Sequence, residues 1–158
     1  MGVKIFNCSW AMEDYNKALE LTMKDTDAVF VCAAGNYMEN VQNTPVYPAC
    51  FNIKNKVSVG AIDNSANLWE LSNYGKQIDL AAPGAAIMST VPGDYYDYMS
   101  GTSMATPFVT GVLALIKGKS HISCNNMVDR IKKSISFNES LEKKYGIKGF
   151  IDAFLALK

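Results

Sequence analysis

Apolar runs and amphipathic stretches alternate along the first half of the chain. The run Ala28–Ala34 is apolar throughout and ends at Gly35, which is typical of a parallel strand covered on both faces. Val3–Cys8 predicts a short strand before it, and Val57–Ile62 predicts the next strand after it. Between the first two strands, one face of a helix is indicated by Tyr15, Ala18, Leu19, Thr22 and Met23. The pattern therefore predicts β-α-β units.

The middle of the chain predicts two more strands and then a long helix. Leu71–Tyr74 and Ile78–Ala82 suit short strands separated by turns, and we expect them to form an edge hairpin. From Ser103 the apolar period becomes helical, which predicts a helix deep in the core. Its buried side is predicted to hold Met104, Phe108, Val112, Leu115 and Ile116.

The last quarter of the chain predicts two helices. One covers Ser123–Ile135, with Ser123 as N-cap and with Val128, Ile131 and Ile135 facing inward. Another begins near Asp152, with an apolar stripe of Phe150, Phe154 and Leu157. Because strands alternate with helices along the whole chain, we expect an α/β fold, a three-layer sandwich around a mostly parallel sheet.

Composition narrows the possible partners of this fold. With 158 residues, 49% of them apolar, the chain suits a single domain over residues 1–158. Fifteen basic residues balance fifteen acidic ones without a basic stripe, so nucleic acid is not expected as a partner. Neither a membrane-spanning run nor a secretion signal is evident, so no membrane partner is expected. Free, buried thiols are predicted for Cys8, Cys32, Cys50 and Cys124.

The stretch from Gly101 to Ser103 places a serine where a reactive group would be useful. Gly101 allows a tight turn, and Ser103 then falls at the start of a helix, where unpaired backbone amides carry partial positive charge. Donors fixed in this way stabilise the negative oxygen of a tetrahedral acyl-transfer intermediate, and the Ser103 N–H would be one of them. A plain Ser N-cap gives the same local pattern, so both interpretations stay open at this point.

A longer motif surrounds this serine. The segment "GTSMATP", with "YMS" before it and "VTGVLAL" after it, resembles the serine motif of subtilisin-like serine proteases. Other segments resemble that family in the same order along the chain, namely "NCSW", "AAGN", "YPA", "VSVGAID" and "LSNYGKQIDLAAPG". The resemblance extends from about Val3 to the closing "GFIDAFLAL", and it implies the C-terminal portion of a subtilisin-like catalytic domain that lacks the N-terminal part.

The resemblance implies catalytic roles for two residues in this chain. Ser103 matches the nucleophile, and Asn36 matches the side-chain donor of the oxyanion hole. The position of Asn36 agrees with that role, because it follows Gly35 at the carboxyl end of a predicted parallel strand, where α/β sheets place ligand crevices. Asn after Gly is also common in plain turns.

Two further segments match the family's substrate-binding walls. Ser9, Trp10 and Ala11 match the segment that pairs with an extended peptide, and Ala33, Ala34 and Gly35 match the opposite wall of the specificity pocket. The family usually has Gly where this chain has Ala11, and we expect the added methyl group to crowd the substrate. Small or aromatic uncharged walls favour large apolar residues next to the cleaved bond. The family also tends to hold the bond corresponding to Tyr47–Pro48 in the cis form.

The sequence offers no general base for this serine. His121 is the one histidine, and sixteen or so helical residues would place it roughly 24 Å from Ser103. Family members carry the acid and base in an Asp motif and an "HGTH"-like motif upstream of the matched region, and neither occurs here. The isolated chain is therefore predicted to be inactive towards its expected polypeptide substrates.

Three hypotheses explain the missing base. The chain is a fragment of a longer protease, or one subunit completed by a second polypeptide, or a catalytically inactive peptide-binding or regulatory module. A nucleotide-binding domain is not supported, because no GxGxxG or GxxxxGK[ST] motif follows a strand. No cofactor or metal ligand is assigned, although calcium stabilises many family members. Full-length members are often secreted, and the location of this chain stays open.

Overall fold

The computed structural model describes residues 2–119 and 122–158 of the chain. Its elements in chain order are β1 (Ile5–Cys8), α1 (Lys17–Asp25), β2 (Val29–Ala33), β3 (Lys56–Ile62), β4 (Leu80–Pro83), β5 (Ile87–Val91), β6 (Tyr95–Met99), α2 (Thr102–Lys119), α3 (Cys124–Lys133), β7 (Ile135–Phe137), α4 (Glu139–Tyr145), β8 (Gly149–Ile151) and α5 (Ala153–Leu157). His121 lies outside the described residues.

A six-stranded sheet in the order β1-β2-β3-β4-β8-β7 forms the middle layer. Every neighbouring pair in it is parallel except β7 with β8. The three strands predicted in the first half of the chain are confirmed as β1, β2 and β3. Strands β2 and β3 are fully buried, which explains why β2 is apolar throughout. In β3, Lys56 and Ser58 are buried polar residues and hydrogen-bond to each other.

Two apolar layers cover the faces of this sheet. Residues of α2, α3 and α5 pack on one face around Leu113, Met127 and Ala156. On the other face, Met23 of α1 and Leu141 of α4 pack together with the loop residues that precede β3. The predicted three-layer α/β sandwich with a mostly parallel sheet is confirmed.

The predicted edge hairpin is wrong. Leu71–Tyr74 forms no regular strand, and Leu80–Pro83 is an interior strand between β3 and β8. The observed hairpin pairs β5 with β6 as a separate two-stranded sheet. All residues of β6 are exposed, so its sequence carries no alternation of buried and exposed positions that would reveal a strand.

Helix α2 begins at Thr102, one residue before the predicted start, and buries a different face. Val112 and Ile116 are buried as expected, but Phe108 is 44% exposed and Leu115 is 57% exposed. The buried face instead continues through Ala105, Val109 and Leu113. Because this helix is apolar around most of its circumference, periodicity alone does not fix which side meets the sheet.

The C-terminal elements agree with the sequence only in part. Ser123 caps α3 as predicted, accepting the Asn126 N–H at its hydroxyl, but the helix ends at Lys133 and Ile135 begins β7. Asp152 caps α5, yet Phe154 is 71% exposed. Helix α4 is missing from the sequence-based prediction. None of the helices in residues 2–119 and 122–158 combines the length and the hydropathy of a membrane-spanning segment.

The four cysteines are free, as predicted. Cys8, Cys32 and Cys124 are buried, whereas Cys50 is partly exposed.

Candidate active site

The candidate site lies at the carboxyl edge of the sheet, where β1 and β2 end beside the first turn of α2. A cavity of about 250 Å³ opens there. Its lining consists of Ala11, Ala33, Gly35, Asn36, Tyr37, Thr102 and Ser103. The structure thus brings both sequence-predicted catalytic residues and three of the predicted wall residues to one cavity.

Ser103 is the second residue of α2 and is tied to the segment after β1. Its hydroxyl donates to the Ser9 carbonyl at 3.0 Å, and the Ser9 hydroxyl donates to the Ser103 carbonyl at 2.7 Å. This reciprocal pair holds the start of the helix against the end of β1. The Ser103 hydroxyl is therefore bonded to a carbonyl oxygen, a group too weakly basic to take its proton.

Asn36 lies across the cavity and is oriented by α2. Its side-chain Oδ1 accepts the Thr102 N–H at 2.9 Å and the Thr102 hydroxyl at 2.8 Å. Since the oxygen faces the helix, the Nδ2 group is the part of the amide left to donate towards a ligand. That nitrogen lies close to Gly101, where an added Cβ would come within 3.3 Å of it.

Thr102 links three parts of the site and was missed by sequence reasoning. Its hydroxyl accepts the Gly35 N–H at 3.1 Å while donating to Asn36. Thr102 is 1% exposed, and its hydrogen bond with Gly35 is buried. The only sequence signal was its place inside the quoted serine motif, because the residues that it joins are 66 or more positions away.

Asn73 braces the loop that carries Asn36 and was also missed. Its side-chain oxygen accepts the N–H groups of Tyr37 at 2.9 Å and Glu39 at 3.1 Å. Its Nδ2 is buried without a hydrogen-bond partner among the described residues. The segment "LSNYG" contains it, but nothing in that sequence indicates a contact with the Asn36 loop.

The predicted substrate walls are only partly assembled around the cavity. Ala11 and Ala33 line it together with Gly35, whereas Ser9, Trp10 and Ala34 do not. Trp10 is 43% exposed, and Ala34 is fully buried behind the wall. Next to Ala11, Met12 pairs with Tyr47 in an antiparallel bridge, and the Tyr47–Pro48 bond is cis, as the resemblance implied.

A second, apolar groove of about 450 Å³ leads away from Ser103. It runs between the β5-β6 hairpin and α2, and its lining comprises Ile87, Met88, Ser89, Thr90, Met99, Ser103, Met104, Pro107 and Phe108. An extended chain passing Ser103 would find apolar side chains on this side.

Neither opening is lined by a carboxylate or an imidazole of the described residues. In the part of the chain that the structure describes, the side chains around Ser103 offer no group that accepts a proton near neutral pH. The arrangement supplies a hydroxyl and oriented N–H donors but leaves proton transfer unassigned.

Comparisons with known proteins agree with this geometry. The subtilase family matches residues 1–147 of the chain. A thermophilic serine proteinase from Bacillus sp. strain AK1 is 36% identical over 140 residues, a match that covers 85% of this chain and 34% of that protein. Thermitase from Thermoactinomyces vulgaris is 32% identical over 162 residues, covering 99% of this chain and 55% of thermitase.

Solved structures give the same result. A protease from Pseudoalteromonas arctica superposes with a TM-score of 0.83 at 26% identity, over 98% of this chain and 50% of that one. A cold-adapted subtilisin-like serine proteinase gives a TM-score of 0.84 at 27% identity, over 97% of this chain and 56% of that one. The chain thus spans about half the length of these relatives, or less. It belongs to the subtilase family of subtilisin-like serine proteases.

Proposed function

We propose that residues 1–158 form a single domain that supplies the nucleophile, the oxyanion donors and part of the substrate cleft of a serine endopeptidase. The observation that carries this proposal is the meeting of Ser103 and Asn36 at one cavity, with Asn36 oriented by hydrogen bonds to Thr102. Polypeptides are the substrate class, and the apolar groove beside Ser103 favours apolar side chains near the cleaved bond.

In the proposed reaction, the Ser103 hydroxyl oxygen attacks the carbonyl carbon of the scissile peptide bond. The carbonyl oxygen then becomes negative and receives N–H groups from the Ser103 backbone and from Asn36 Nδ2. Because Thr102 fixes the Asn36 amide beforehand, little reorganisation is needed as the charge develops. Losing such a side-chain donor typically lowers turnover by about 10²- to 10³-fold.

The proton of the Ser103 hydroxyl needs an acceptor that this cavity does not provide. We assign the base and its orienting acid to a polypeptide region outside this chain, either an N-terminal half or a second subunit. Its base would have to draw the Ser103 hydroxyl away from the Ser9 carbonyl, 3.0 Å away. This proposal assigns no cofactor to the reaction, because acyl transfer by an activated serine needs only base, acid and donors.

A fluorophosphonate probe tests this assignment. We expect the isolated chain to label very slowly, and we expect labelling and peptide cleavage to rise by several orders of magnitude once a polypeptide with the N-terminal half of thermitase is added. Ser103→Ala should abolish the labelling, whereas Ser140→Ala in α4, an exposed serine, should leave it unchanged. Fast, Ser103-dependent labelling of the isolated chain would contradict the assignment, since it would require a base within these residues.

A catalytically inactive peptide-binding module is the second candidate. The bond from the Ser103 hydroxyl to a backbone carbonyl favours it, as does a cavity that no carboxylate or imidazole of the described residues lines. The two functions differ in one measurement. A binding module would retain a reversible peptide ligand in the cleft whether or not Ser103 is replaced by Ala, and the added N-terminal half would produce no cleavage.

A further inference from the structure

Cys8 and Cys32 face each other on the two strands that lead into the site. They are the last pair of residues in register between β1 and β2. Ser9 follows Cys8 in the chain, and Ala33 follows Cys32. Register partners in a parallel ladder point to the same face of the sheet, and both cysteines belong to the same buried cluster. Two thiols therefore lie side by side beneath the residues that shape the cleft.

The surroundings give the two thiols different reactivity. Contact with the Cys32 thiol, which itself donates to the Phe30 carbonyl at 3.6 Å, lowers the pKa of Cys8 below its usual value, while the same contact and burial raise the pKa of Cys32. Cys8 is also the more accessible of the two, at 7% exposure on an edge strand against 0% for Cys32. Cys8 is thus suited to react first and Cys32 to react second.

We propose that Cys8 and Cys32 are an oxidation site that forms a reversible disulfide when the chain meets a hydroperoxide. The Cys8 thiolate attacks the peroxide oxygen, so the O–O bond breaks and Cys8 becomes a sulfenic acid as the other oxygen leaves as hydroxide or alkoxide. The Cys32 sulfur then attacks the Cys8 sulfur, the S–O bond breaks, and the oxygen leaves as water with the Cys32 proton. Two thiols are oxidised and one peroxide is reduced.

The bond would draw the two strands together. The Cβ atoms of register partners in a parallel ladder lie about as far apart as the strands themselves, ~4.8 Å. The Cβ atoms of a disulfide are about 3.8 Å apart, so the two Cβ atoms have to approach each other. Strand β1 has a sheet neighbour on one side only, so it is the strand that moves. Ser9 follows Cys8 directly and holds the Ser103 hydroxyl, so the shift reaches the nucleophile. A disulfide strained by this movement is easily reduced, so the oxidation can be reversed.

Mass mapping of the oxidised chain tests the site. The purified chain is treated with equimolar hydrogen peroxide, blocked with an alkylating agent, and digested with trypsin. Cys32 and Cys50 share the tryptic fragment between Lys24 and Lys54, so a second cleavage at Glu39 is needed to separate them. We expect the Cys8 and Cys32 peptides to be linked, lighter by two hydrogens than their sum, and separated again by dithiothreitol.

Matched variants decide between this pair and general thiol oxidation. Cys8→Ser and Cys32→Ala should each abolish the link, whereas Cys50→Ser and Cys124→Ala should leave its yield unchanged. Circular dichroism confirms that each variant is folded. Hydrogen exchange adds a second readout, because the linked form should exchange the amides of residues 9–12 at a several-fold different rate. Links through Cys50 or Cys124, links between chains, or no link after peroxide is consumed would each overturn the proposal.

Discussion

Gly35 occupies a position at which every other residue type would be strained. Its φ is +94°, in the left-handed region that side chains rarely adopt, and a Cβ would lie 2.6 Å from the buried Asn73 Nδ2. Its N–H donates to Thr102, and its carbonyl accepts from the Asn73 N–H. A glycine is needed here because the backbone passes between two fixed side chains immediately before Asn36.

Gly35→Ala should therefore destabilise the fold, by about 1–3 kcal/mol from the backbone conformation alone. Gly111→Ala is the matched control. Gly111 lies within α2 with no atom within 4 Å of a built Cβ, so the same substitution should stabilise the helix by about 0.5–1 kcal/mol. Urea unfolding of the two variants and the parent chain measures both values.

Stabilisation of similar size by both glycine substitutions would contradict this account of Gly35. It would show that the Asn36 loop relaxes around an added methyl group.

At the level of elements, a strand or a helix end is predicted correctly where its local sequence pattern matches the way its residues are buried. Strand β2 is apolar throughout because both faces are covered, and Ser123 caps α3 through its own hydroxyl, so neither prediction needed distant residues. The β5-β6 hairpin was missed because both faces of β6 are exposed. The buried face of α2 was misplaced because most of its circumference is apolar, and packing rather than pattern selects the side.

The candidate site divides in the same way. Ser103 and Asn36 were predicted from motifs, and the structure places both at one cavity. Thr102 and Asn73 were missed because each acts through hydrogen bonds to residues more than 30 positions away, which no local pattern records. The placement of Ser103 and Asn36 at one cavity thus follows from sequence motifs, whereas the residues that orient them depend on the tertiary fold.

The cap of α5 makes part of the stability dependent on pH. The Asp152 carboxylate accepts the Leu155 N–H at 2.9 Å and the Ser136 hydroxyl at 3.0 Å, and these bonds hold its pKa below the usual value. A carboxyl with a depressed pKa stabilises the fold above its unfolded pKa of about 4, and that contribution is lost as the pH falls through the folded pKa.

Asp152→Asn should remove this pH dependence while keeping an N-cap oxygen. We expect the parent chain to be the more stable of the two near neutral pH, and the difference in urea midpoint to shrink as the pH falls below about 4. Asp129→Asn, at an exposed position of α3, serves as the control. A difference that stays constant from neutral to acidic pH would show that the cap does not titrate in this range.

At the level of the whole molecule, one side of α2 is apolar yet uncovered. Phe108 and Leu115 lie two and four turns into the helix with 44% and 57% of their surface exposed, and Phe108 lines the apolar groove together with the exposed Met88 and Met99 of the hairpin. Strand β1, which packs under the same helix, forms one edge of the sheet. Contiguous apolar surface and an open strand edge both favour association with another polypeptide.

The isolated chain should therefore self-associate through this face, and Leu115→Glu should weaken the association. The charge would sit on an exposed side chain, so it should leave the folded monomer intact while making burial of this face costly.

Sedimentation velocity over a range of concentrations measures the effect as a shift from oligomer to monomer. Phe137→Glu on β7, at the opposite edge of the sheet and 64% exposed, is the control and should leave the distribution unchanged. A compact, thermally robust monomer in the parent chain would contradict the prediction, because it would mean that the uncovered face of α2 is tolerated in water.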